Sequence, residues 1–444
     1  MKILFVLPEL YPHPGGGLAT YYMHYIRLLK SHCSEIRILI GSLTEQNHKP
    51  VEWEEIEINY LNSNLYKKYL PLFSHFSSWP EIQGHLAAAW ALYEQADQGN
   101  GFDVIETTDW GWNYLPFALS GHKNLITRLH GSIAQIEYYD PRESFDLYAH
   151  LTRLLEIDTL SLVPTLVTYS LNNQHFWIEK LQRDIIHIYP ILSINEENQN
   201  TPEVNIPVEN YALVIGRIQA WKGAEILCRA LDNQDIGIPI YWIGRDSSYK
   251  KNNASYNKYL QDKYPSIWGK KIIPLGPKSR EECRQWMQKA KFGIVPSTWD
   301  MFNLTIIEWI EAKKPIVCSA GAGGSSLLEN LPENLIFTAS QPDSLTNVLK
   351  CAIELNESQS HLQSLAQLTN FSTYCEVSNL IDINKSLYNS ISKDINLVSL
   401  KSNWRFNAYF PSSIKTDRYV LLDQWPLRDL LNYIKNRLLK RKYL

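Results

Sequence analysis

The segment from Phe292 to Glu329 constrains the fold of this chain more than any other stretch. It contains, in order, the apolar run Phe292–Val295, a loop with Asp300, an amphipathic helix from about Leu304, a second apolar run, Pro315–Cys318, and a Gly-rich turn, 321–324. Each apolar run is too short for a helix and predicts a buried strand. A strand–loop–helix–strand unit belongs to a parallel sheet, whose carboxyl edge is where open α/β folds bind ligands. A helix N-terminus at that edge favours a phosphate group.

Similar short apolar runs recur along the chain, with helical patterns between them. They are Ile3–Leu7, Ile36–Ile40, Val104–Ile105, Leu125–Thr127 and Leu166–Thr168 in the first half, and Ala212–Ile215, Ile240–Ile243, Ile272–Leu275, Phe292–Val295, Pro315–Cys318 and Leu335–Phe337 in the second. Strands that alternate with helices form βαβ units and parallel sheets. Because 444 residues are too many for one ordinary core, we predict an α/β protein with two Rossmann-like domains facing a central cleft.

The predicted domains are residues 1–200 and 201–385, with a C-terminal extension over 386–444. The polar stretch Asn195–Asn210 predicts the linker between the two domains. The extension ends in a basic amphipathic pattern, with Leu427, Leu430, Leu431, Ile434 and Leu438 at helical spacing and Lys435, Arg437, Lys440, Arg441 and Lys442 among and after them. Such a helix can rest on an anionic membrane surface, although packing on the core with a solvated basic end is commoner.

Composition excludes several classes of protein. A net charge of −3 gives no bulk reason to expect nucleic acid as a partner. The six cysteines are scattered without metal-ligand spacing, which is typical of reduced thiols in a cytoplasmic protein. The five apolar residues before Pro8 are too few for a signal peptide, and no stretch is long enough to span a membrane. No G-x-G-x-x-G follows the first strand of either half, which argues against an NAD-linked enzyme.

The segment Phe292–Glu329 also resembles the C-terminal nucleotide-sugar motif of family 4 retaining glycosyltransferases, which carry a group 1 domain and have the two-domain GT-B fold. The matching residues are Pro296-Ser297, Asp300, Glu308, Lys314-Pro315-Ile316-Val317 and Gly323-Gly324. The first acid of the motif is usually Glu, and this chain has Asp. The resemblance implies a hexosyl-type transferase that uses a nucleotide-diphosphate sugar as substrate, needs no cofactor, and transfers to a hydroxyl of a glycan, polysaccharide or lipid-linked acceptor.

Donor-binding residues follow from the same resemblance. Arg217 and Lys222, in the sequence VIGRIQAWKGAEIL, match the pair that neutralises the donor diphosphate. A diphosphate leaves with extra negative charge, so fixed cations are what its departure needs. The absence of any D-x-D triplet fits a site that binds no metal ion. Glu308 is expected to accept hydrogen bonds from the ribose hydroxyls, and Asp300 from hydroxyls of the transferred sugar.

The turn of Phe302, Asn303, Leu304 and Thr305 is expected to hold the phosphate or the sugar through its backbone N–H groups. Many family members have Gly near Asn303. If the turn requires a positive φ, Asn is among the residues that best tolerate it. The substitution is therefore compatible with a working loop.

Two loops of the first domain complete the predicted site. The glycines 15–17 follow the first strand, and Gly16 and Gly17 are expected to let backbone approach the donor. His130, in the loop Arg128–Gly131, matches a family histidine that lies close to the transferred sugar. Asp109 could contact the acceptor. Three further residues match the family pattern before the linker and are interpreted as structural: Glu156, Asp158 and Ser170.

Two other functions remain open on the sequence. A sugar-nucleotide epimerase or hydrolase of the same fold would need the diphosphate cleft but no acceptor. A non-catalytic scaffold would tolerate Asp300 in place of Glu, whereas the retained Arg217, Lys222 and Glu308 argue against it.

Overall fold

The chain folds into two parallel β-sheets with helices on their faces, as seen in a computed structural model. The structure describes residues 1–10, 16–41, 49–139, 147–191, 206, 210–232, 234–249, 254–375, 377–391, 409–411, 427, 428, 431 and 435. The predicted linker falls almost entirely outside these residues. Of the predicted basic C-terminal helix only Leu427, Arg428, Leu431 and Lys435 are described, all exposed, and the rest lies outside the described residues. Across the described part, no helix is both long and apolar enough to cross a membrane.

The first sheet has eight strands from the first half of the chain. They are β1 (Lys2–Leu7), β2 (Glu35–Ile40), β3 (Val51–Trp53), β4 (Ile56–Tyr60), β5 (Val104–Thr108), β6 (Leu125–Leu129), β7 (Thr165–Thr168) and β8 (Ile186–His187). Their order is β3-β4-β2-β1-β5-β6-β7-β8, and every pair is parallel except β3 with β4. The central strands are apolar runs because helices cover both faces of a parallel sheet.

The second sheet has six parallel strands. They are β9 (Ala212–Ile215), β10 (Ile240–Ile243), β13 (Ile272–Gly276), β14 (Phe292–Val295), β15 (Ile316–Ser319) and β16 (Ile336–Phe337), in the order β13-β10-β9-β14-β15-β16. A separate short hairpin pairs β11 (Ser248–Tyr249) with β12 (Ala254–Ser255). The order reverses between β9 and β14, which is where a doubly wound sheet opens a crevice for ligands.

Helices connect these strands and follow the second sheet. They are α1 (Gly17–Leu29), α2 (Ser63–Tyr69), α3 (Pro80–Gln95), α4 (Leu115–Leu119), α5 (Ile133–Tyr139), α6 (Leu147–Leu160), α7 (Leu171–Leu181), α8 (Ala224–Asp232), α9 (Tyr256–Lys263), α10 (Arg280–Lys289), α11 (Thr305–Glu311), α12 (Pro342–Glu354), α13 (Glu357–Cys375) and α14 (Val377–Ser390). One buried apolar cluster includes residues of α1, β1, β9, α11 and α14, so the two halves share hydrophobic contacts.

Helix α14 returns from the second half of the chain to the first sheet. There a fully buried ion pair joins Arg128 of β6 to Glu106 of β5, with Nε 2.7 Å from Oε1 and both side chains 0% exposed. Asn384 of α14 accepts from Nη2 of Arg128 at 2.5 Å, and Tyr25 of α1 accepts from the same nitrogen at 3.0 Å. Tyr388 of α14 donates to Glu106. These bonds satisfy groups whose burial would otherwise be costly.

The predicted α/β architecture and its parallel strands are confirmed. Three strands, Ala212–Ile215, Ile240–Ile243 and Phe292–Val295, have the predicted bounds, and the others differ by up to three residues at an end. Strands β3, β4, β8, β11 and β12 were missed. These strands either have only two or three residues or alternate between buried and exposed positions, so none contains a continuous apolar run.

Candidate active site

The loops at the carboxyl ends of the two sheets meet, and they bring predicted residues from both halves together. A Cβ built on Gly16 would lie 3.0 Å from Nη2 of Arg217, and one built on Gly17 would lie 3.8 Å from Cδ1 of Leu304. The glycine loop before α1 therefore faces the loops after β9 and β14. A side chain at position 16 would compete with the Arg217 guanidinium for the same space.

Glu9 holds this glycine loop in place, and sequence reasoning missed it. Its Oε1 accepts the backbone N–H groups of Gly16 at 2.8 Å and Ala19 at 3.3 Å. The carboxylate thereby satisfies donors that the first turn of α1 leaves open. An acidic residue shortly before a Gly-rich helix start was the available signal.

His130 lies at the end of β6, partly buried among tyrosines. Its Nε2 is 2.9 Å from the Tyr169 hydroxyl, and its ring centroid is 5.2 Å from Tyr21 and 5.3 Å from Tyr22. Burial, and then the positive charge of Arg128, holds the pKa of His130 well below its usual range. The imidazole is therefore neutral at pH 7 and is a weak base.

Asp109 fixes the loop that carries His130 and does not face the cleft. The carboxylate is fully buried and accepts the backbone N–H groups of His130 at 2.9 Å and Gly131 at 3.2 Å. Burial raises its pKa to about 7, an effect that these hydrogen bonds partly oppose. The sequence offered Asp109 as an acceptor contact; the structure corrects this, because both oxygens are occupied by backbone.

Lys222 and Asp300 form an ion pair between the loops after β9 and β14. Lys222 Nζ donates to Oδ2 of Asp300, and the two side chains are 19% and 11% exposed. The ammonium also lies 4.1 Å from the centroid of the Trp221 ring, within cation–π distance. The turn after β15 supports Asp300, whose backbone bonds to Gly321 at 3.0 Å and Gly323 at 2.9 Å. Lys222 and Asp300, the acid found where the family usually has Glu, are thus adjacent.

Two glycines allow these loops to approach so closely. Gly223 has φ +84°, and a Cβ there would lie 1.8 Å from the carbonyl oxygen of Pro296. A Cβ on Gly323 would lie 2.0 Å from the carbonyl oxygen of Met301. Only a residue without a side chain fits either position. The glycines at 223 and 323 therefore allow the loops that carry Lys222 and Asp300 to approach each other.

The turn before α11 has the backbone conformation that the sequence analysis allowed for. Asn303 has φ +72°, in the left-handed region. Its Oδ1 accepts from the backbone N–H of Thr305 at 3.2 Å and from the Thr305 hydroxyl at 2.6 Å. Asn303 therefore tolerates the turn, and its side chain caps the backbone N–H of Thr305, the first residue of α11, whose N-cap residue is Leu304.

Asn303 provides a direct test of this turn. Replacement by Gly should leave the melting temperature within about 2 °C, because Gly adopts a positive φ freely while losing the cap. Replacement by Val should cost about 2 kcal/mol or more, because a β-branched residue is strained there and also lacks the cap. Thermal unfolding of the two variants checks this. Equal melting temperatures for Gly and Val would contradict the assigned conformation.

Glu308 lies on α11, one turn from Asn303, and faces basic residues of α10. Burial raises the pKa of its carboxyl, and the charges of Arg280 and Arg284 oppose that rise. Burial, followed by the charge of Glu308, raises the pKa of Glu311 to about 7. Arg280 Nη2 is 3.1 Å from Nε2 of His24 on α1, so the first domain also contacts this region.

An aromatic stack joins the two halves beside Asp300. Tyr139 of α5 and Trp299 have parallel rings, with centroids 4.5 Å apart and planes 3° apart. Trp299 in turn lies 5.5 Å from Trp221, and a Cβ on Gly131 would lie 3.4 Å from Trp299. Sequence reasoning missed this stack because Tyr139 and Trp299 are 160 positions apart and match no motif.

The three residues interpreted as structural make contacts within the first half of the chain or with Tyr409. Glu156 accepts the backbone N–H of Ala134 at 3.0 Å, and Asp158 accepts from the Tyr409 hydroxyl at 3.2 Å. The Ser170 hydroxyl caps α7. In the described part of the chain, no three His, Cys, Asp or Glu side chains are grouped so as to hold a metal ion.

Comparisons with known proteins address the family and the fold. Residues 196–368 match the family model described as glycosyl transferases group 1. A curated relative, an uncharacterized glycosyltransferase of Methanocaldococcus jannaschii, is 26% identical over 143 residues. That match covers 31% of this chain and 36% of the relative, so it spans about a third of the relative's length.

Solved structures are similar over 88% of this chain and 100% of their own. Anabaena HepE in complex with UDP and glucose has 18% identity and a TM-score of 0.60. A trehalose-6-phosphate structure from E. coli, bound with UDP-2-fluoro glucose, has 15% identity and a TM-score of 0.63. An α,α-trehalose-phosphate synthase (UDP-forming) from Burkholderia xenovorans, in complex with glucose-6-phosphate, has 15% identity and a TM-score of 0.63. The chain therefore has the two-domain GT-B fold, and its second half carries a group 1 glycosyltransferase region.

Proposed function

We propose that this protein is a retaining glycosyltransferase that moves a sugar from a nucleotide-diphosphate sugar to a hydroxyl of a carbohydrate or lipid-linked acceptor, without a metal ion. The observation that carries the proposal is the meeting of Arg217 and Lys222 with Gly16 and Asp300 at the cleft. Two cationic side chains and a glycine loop supply what a departing diphosphate requires: positive charge and close backbone approach.

The Lys222–Asp300 ion pair can be replaced by contacts with a bound donor. A diphosphate between Arg217 and Lys222 would compete with Asp300 for the ammonium, because a doubly charged group attracts it more strongly than one carboxylate. Asp300 would then be released to accept hydrogen bonds from hydroxyls of the transferred sugar. Donor binding thus converts an ion pair into two ligand contacts.

Glu308 is suited to bind the nucleoside. A carboxylate in a buried position makes stronger hydrogen bonds to ribose hydroxyls than one in water. The charges of Arg280 and Arg284, which lower the pKa of the Glu308 carboxyl against the effect of burial, favour its ionised form. The same charge state is the one that accepts two hydrogen bonds.

The retaining route is supported by the resemblance of Phe292–Glu329 to the motif of family 4 retaining glycosyltransferases. Inversion would need a general base poised near pH 7, and His130, whose pKa is held well below its usual range, is unsuited to that role. In front-face displacement the acceptor oxygen bonds to the anomeric carbon while the bond to the diphosphate oxygen breaks. The acceptor proton passes to that leaving oxygen, so no protein base is required.

The test is thermal stabilisation of the full-length protein by a panel of nucleotide-diphosphate sugars, beginning with UDP-sugars because the similar structures hold UDP compounds. At 100 times its Kd a donor adds about 2.7 kcal/mol. Arg217→Ala and Glu308→Ala should each abolish the shift, the latter by weakening donor binding about 100-fold. Arg229→Ala and Glu354→Ala, exposed at the far ends of α8 and α12, are the matched controls.

Each result then has a distinct meaning. A selective shift that both cleft variants lose supports the donor site. The anomeric configuration of the product, read by NMR, tests retention, and unchanged turnover in excess EDTA tests independence from metal. Consumption of the donor without an acceptor would instead indicate a hydrolase or epimerase. No shift with any donor, in a folded protein, would indicate a scaffold.

A further inference from the structure

A cavity of about 640 Å³ opens on the second domain at the edge where its parallel strands begin. Lys291 precedes β14, Lys313 and Lys314 precede β15, and Ser360 and His361 lie in the first turns of α13; all five line the cavity. The candidate active site lies at the carboxyl ends of the same strands. The cavity is therefore separate from the donor cleft, at the opposite edge of the sheet.

The lining of this cavity is cationic. Its three lysines face one carboxylate, that of Glu357. Among the described residues none of the three lysines forms an ion pair; Lys291 Nζ donates to the carbonyl of Ile353 at 2.6 Å. Burial lowers the pKa of Lys314, which means that its ammonium lacks the compensation that a nearby anion would provide.

Lys313 occupies a backbone position that normally belongs to glycine. Helix α11 ends in a Schellman motif, in which Lys314 N–H bonds to the Trp309 carbonyl at 3.3 Å and Lys313 N–H to the Ile310 carbonyl at 3.0 Å. Lys313 is the C′ residue of this motif, with φ +55°. A lysine is strained there and a glycine is not. Glycine can therefore replace Lys313 without strain in the backbone, which makes this position suitable for a test of the side chain.

We propose that this cavity binds a phosphate group carrying two or more negative charges, on a soluble compound or on a lipid headgroup. A phosphate offers several acceptor oxygens to ammonium groups that approach from different elements, which a single carboxylate does not.

The cavity is connected to the donor site through α11. This helix begins beside Asn303, carries Glu308 in its first turn, and ends at Glu311, two residues before Lys313. The Ser364 hydroxyl of α13 donates to the Lys313 carbonyl at 2.9 Å and holds this end of α11. An anion on Lys313 and Lys314 therefore acts on the helix that presents Glu308, so its occupancy should alter donor affinity.

The test is calorimetric titration of the full-length protein with inorganic pyrophosphate. It is done in an Arg217→Ala background, which removes the competing diphosphate site of the cleft. We expect saturable binding that Lys313→Gly and Lys314→Gln each weaken about tenfold, as expected for a hydrogen bond to a charged group. Lys270→Gln removes the same charge from an exposed position of the same domain and should stay within about twofold.

Lys313→Gly separates a binding role from a structural one. Since glycine fits the left-handed position, this variant should not lower the melting temperature of the anion-free protein. Absence of pyrophosphate binding in the Arg217→Ala background, or equal affinities for the Lys313, Lys314 and Lys270 variants, would overturn the proposal. Co-sedimentation with vesicles that contain phosphatidic acid, a phosphomonoester lipid, with phosphatidylcholine as control, identifies the source: loss in the same two variants assigns a headgroup, and unchanged sedimentation assigns a soluble phosphate.

Discussion

Replacing Lys222 with methionine is expected to lower the turnover of sugar transfer by about a thousandfold in a folded protein. Loss of one preorganised electrostatic contact to the developing charge has this scale. Methionine keeps an apolar side chain of similar length but loses the ammonium that lies over Trp221. The measurement is kcat at saturating donor, with donor Kd determined separately, because the cation should matter more as the diphosphate departs than while the donor is bound.

The variant also leaves Asp300 without its partner, so a control must separate the two effects. In Lys222→Met with Asp300→Asn the orphaned charge is removed, and the melting temperature should return towards that of the wild type. Turnover should stay low, because the cation is still missing. Turnover within about tenfold of the wild type in the single variant would contradict the role of Lys222 at the diphosphate.

The largest effect on stability is expected from Arg128→Met. The change leaves Glu106 charged and fully buried, which costs about 3–5 kcal/mol. For a domain of this size that corresponds to a fall of about 10 °C in melting temperature. Differential scanning calorimetry measures it. Tyr388→Phe, which removes only one hydroxyl donor to Glu106, should cost about 1–3 kcal/mol.

A paired substitution distinguishes the ion pair from simple packing. Arg128→Met with Glu106→Leu replaces both charges by apolar groups and should recover most of the lost stability, as buried pairs elsewhere do. If the double variant is no more stable than Arg128→Met alone, the loss arises from packing against α14 and the assigned electrostatic cause is wrong.

Glu106 and Arg128 also explain why two strands were predicted too short. The predicted strands ended at Ile105 and Thr127, just before Glu106 and Arg128, because a charge interrupts an apolar run. In the structure both strands continue, since the two charges neutralise each other across neighbouring strands. Nothing in either local sequence shows that the compensating charge lies 22 positions away.

The candidate site divides in the same way. Residues on a motif with fixed local spacing, such as Lys222 with Gly223 and Asp300 with Asn303, could be predicted because a single loop sets their positions. Contacts that depend on tertiary packing could not be predicted from the sequence. Tyr139 with Trp299 and His24 with Arg280 each join the two halves of the chain, and no periodicity within one element encodes them.

The return of α14 to the first sheet has a consequence for biosynthesis. All eight strands of that sheet are encoded before residue 190. Asn384 and Tyr388, which bond to Arg128 and Glu106, are synthesised only about 190 residues after the last of these strands. At about 5–20 residues per second the nascent first domain waits ten seconds or more for these partners. During that interval its central charge pair is incompletely bonded, and nascent chains of that length are the ones most in need of a chaperone.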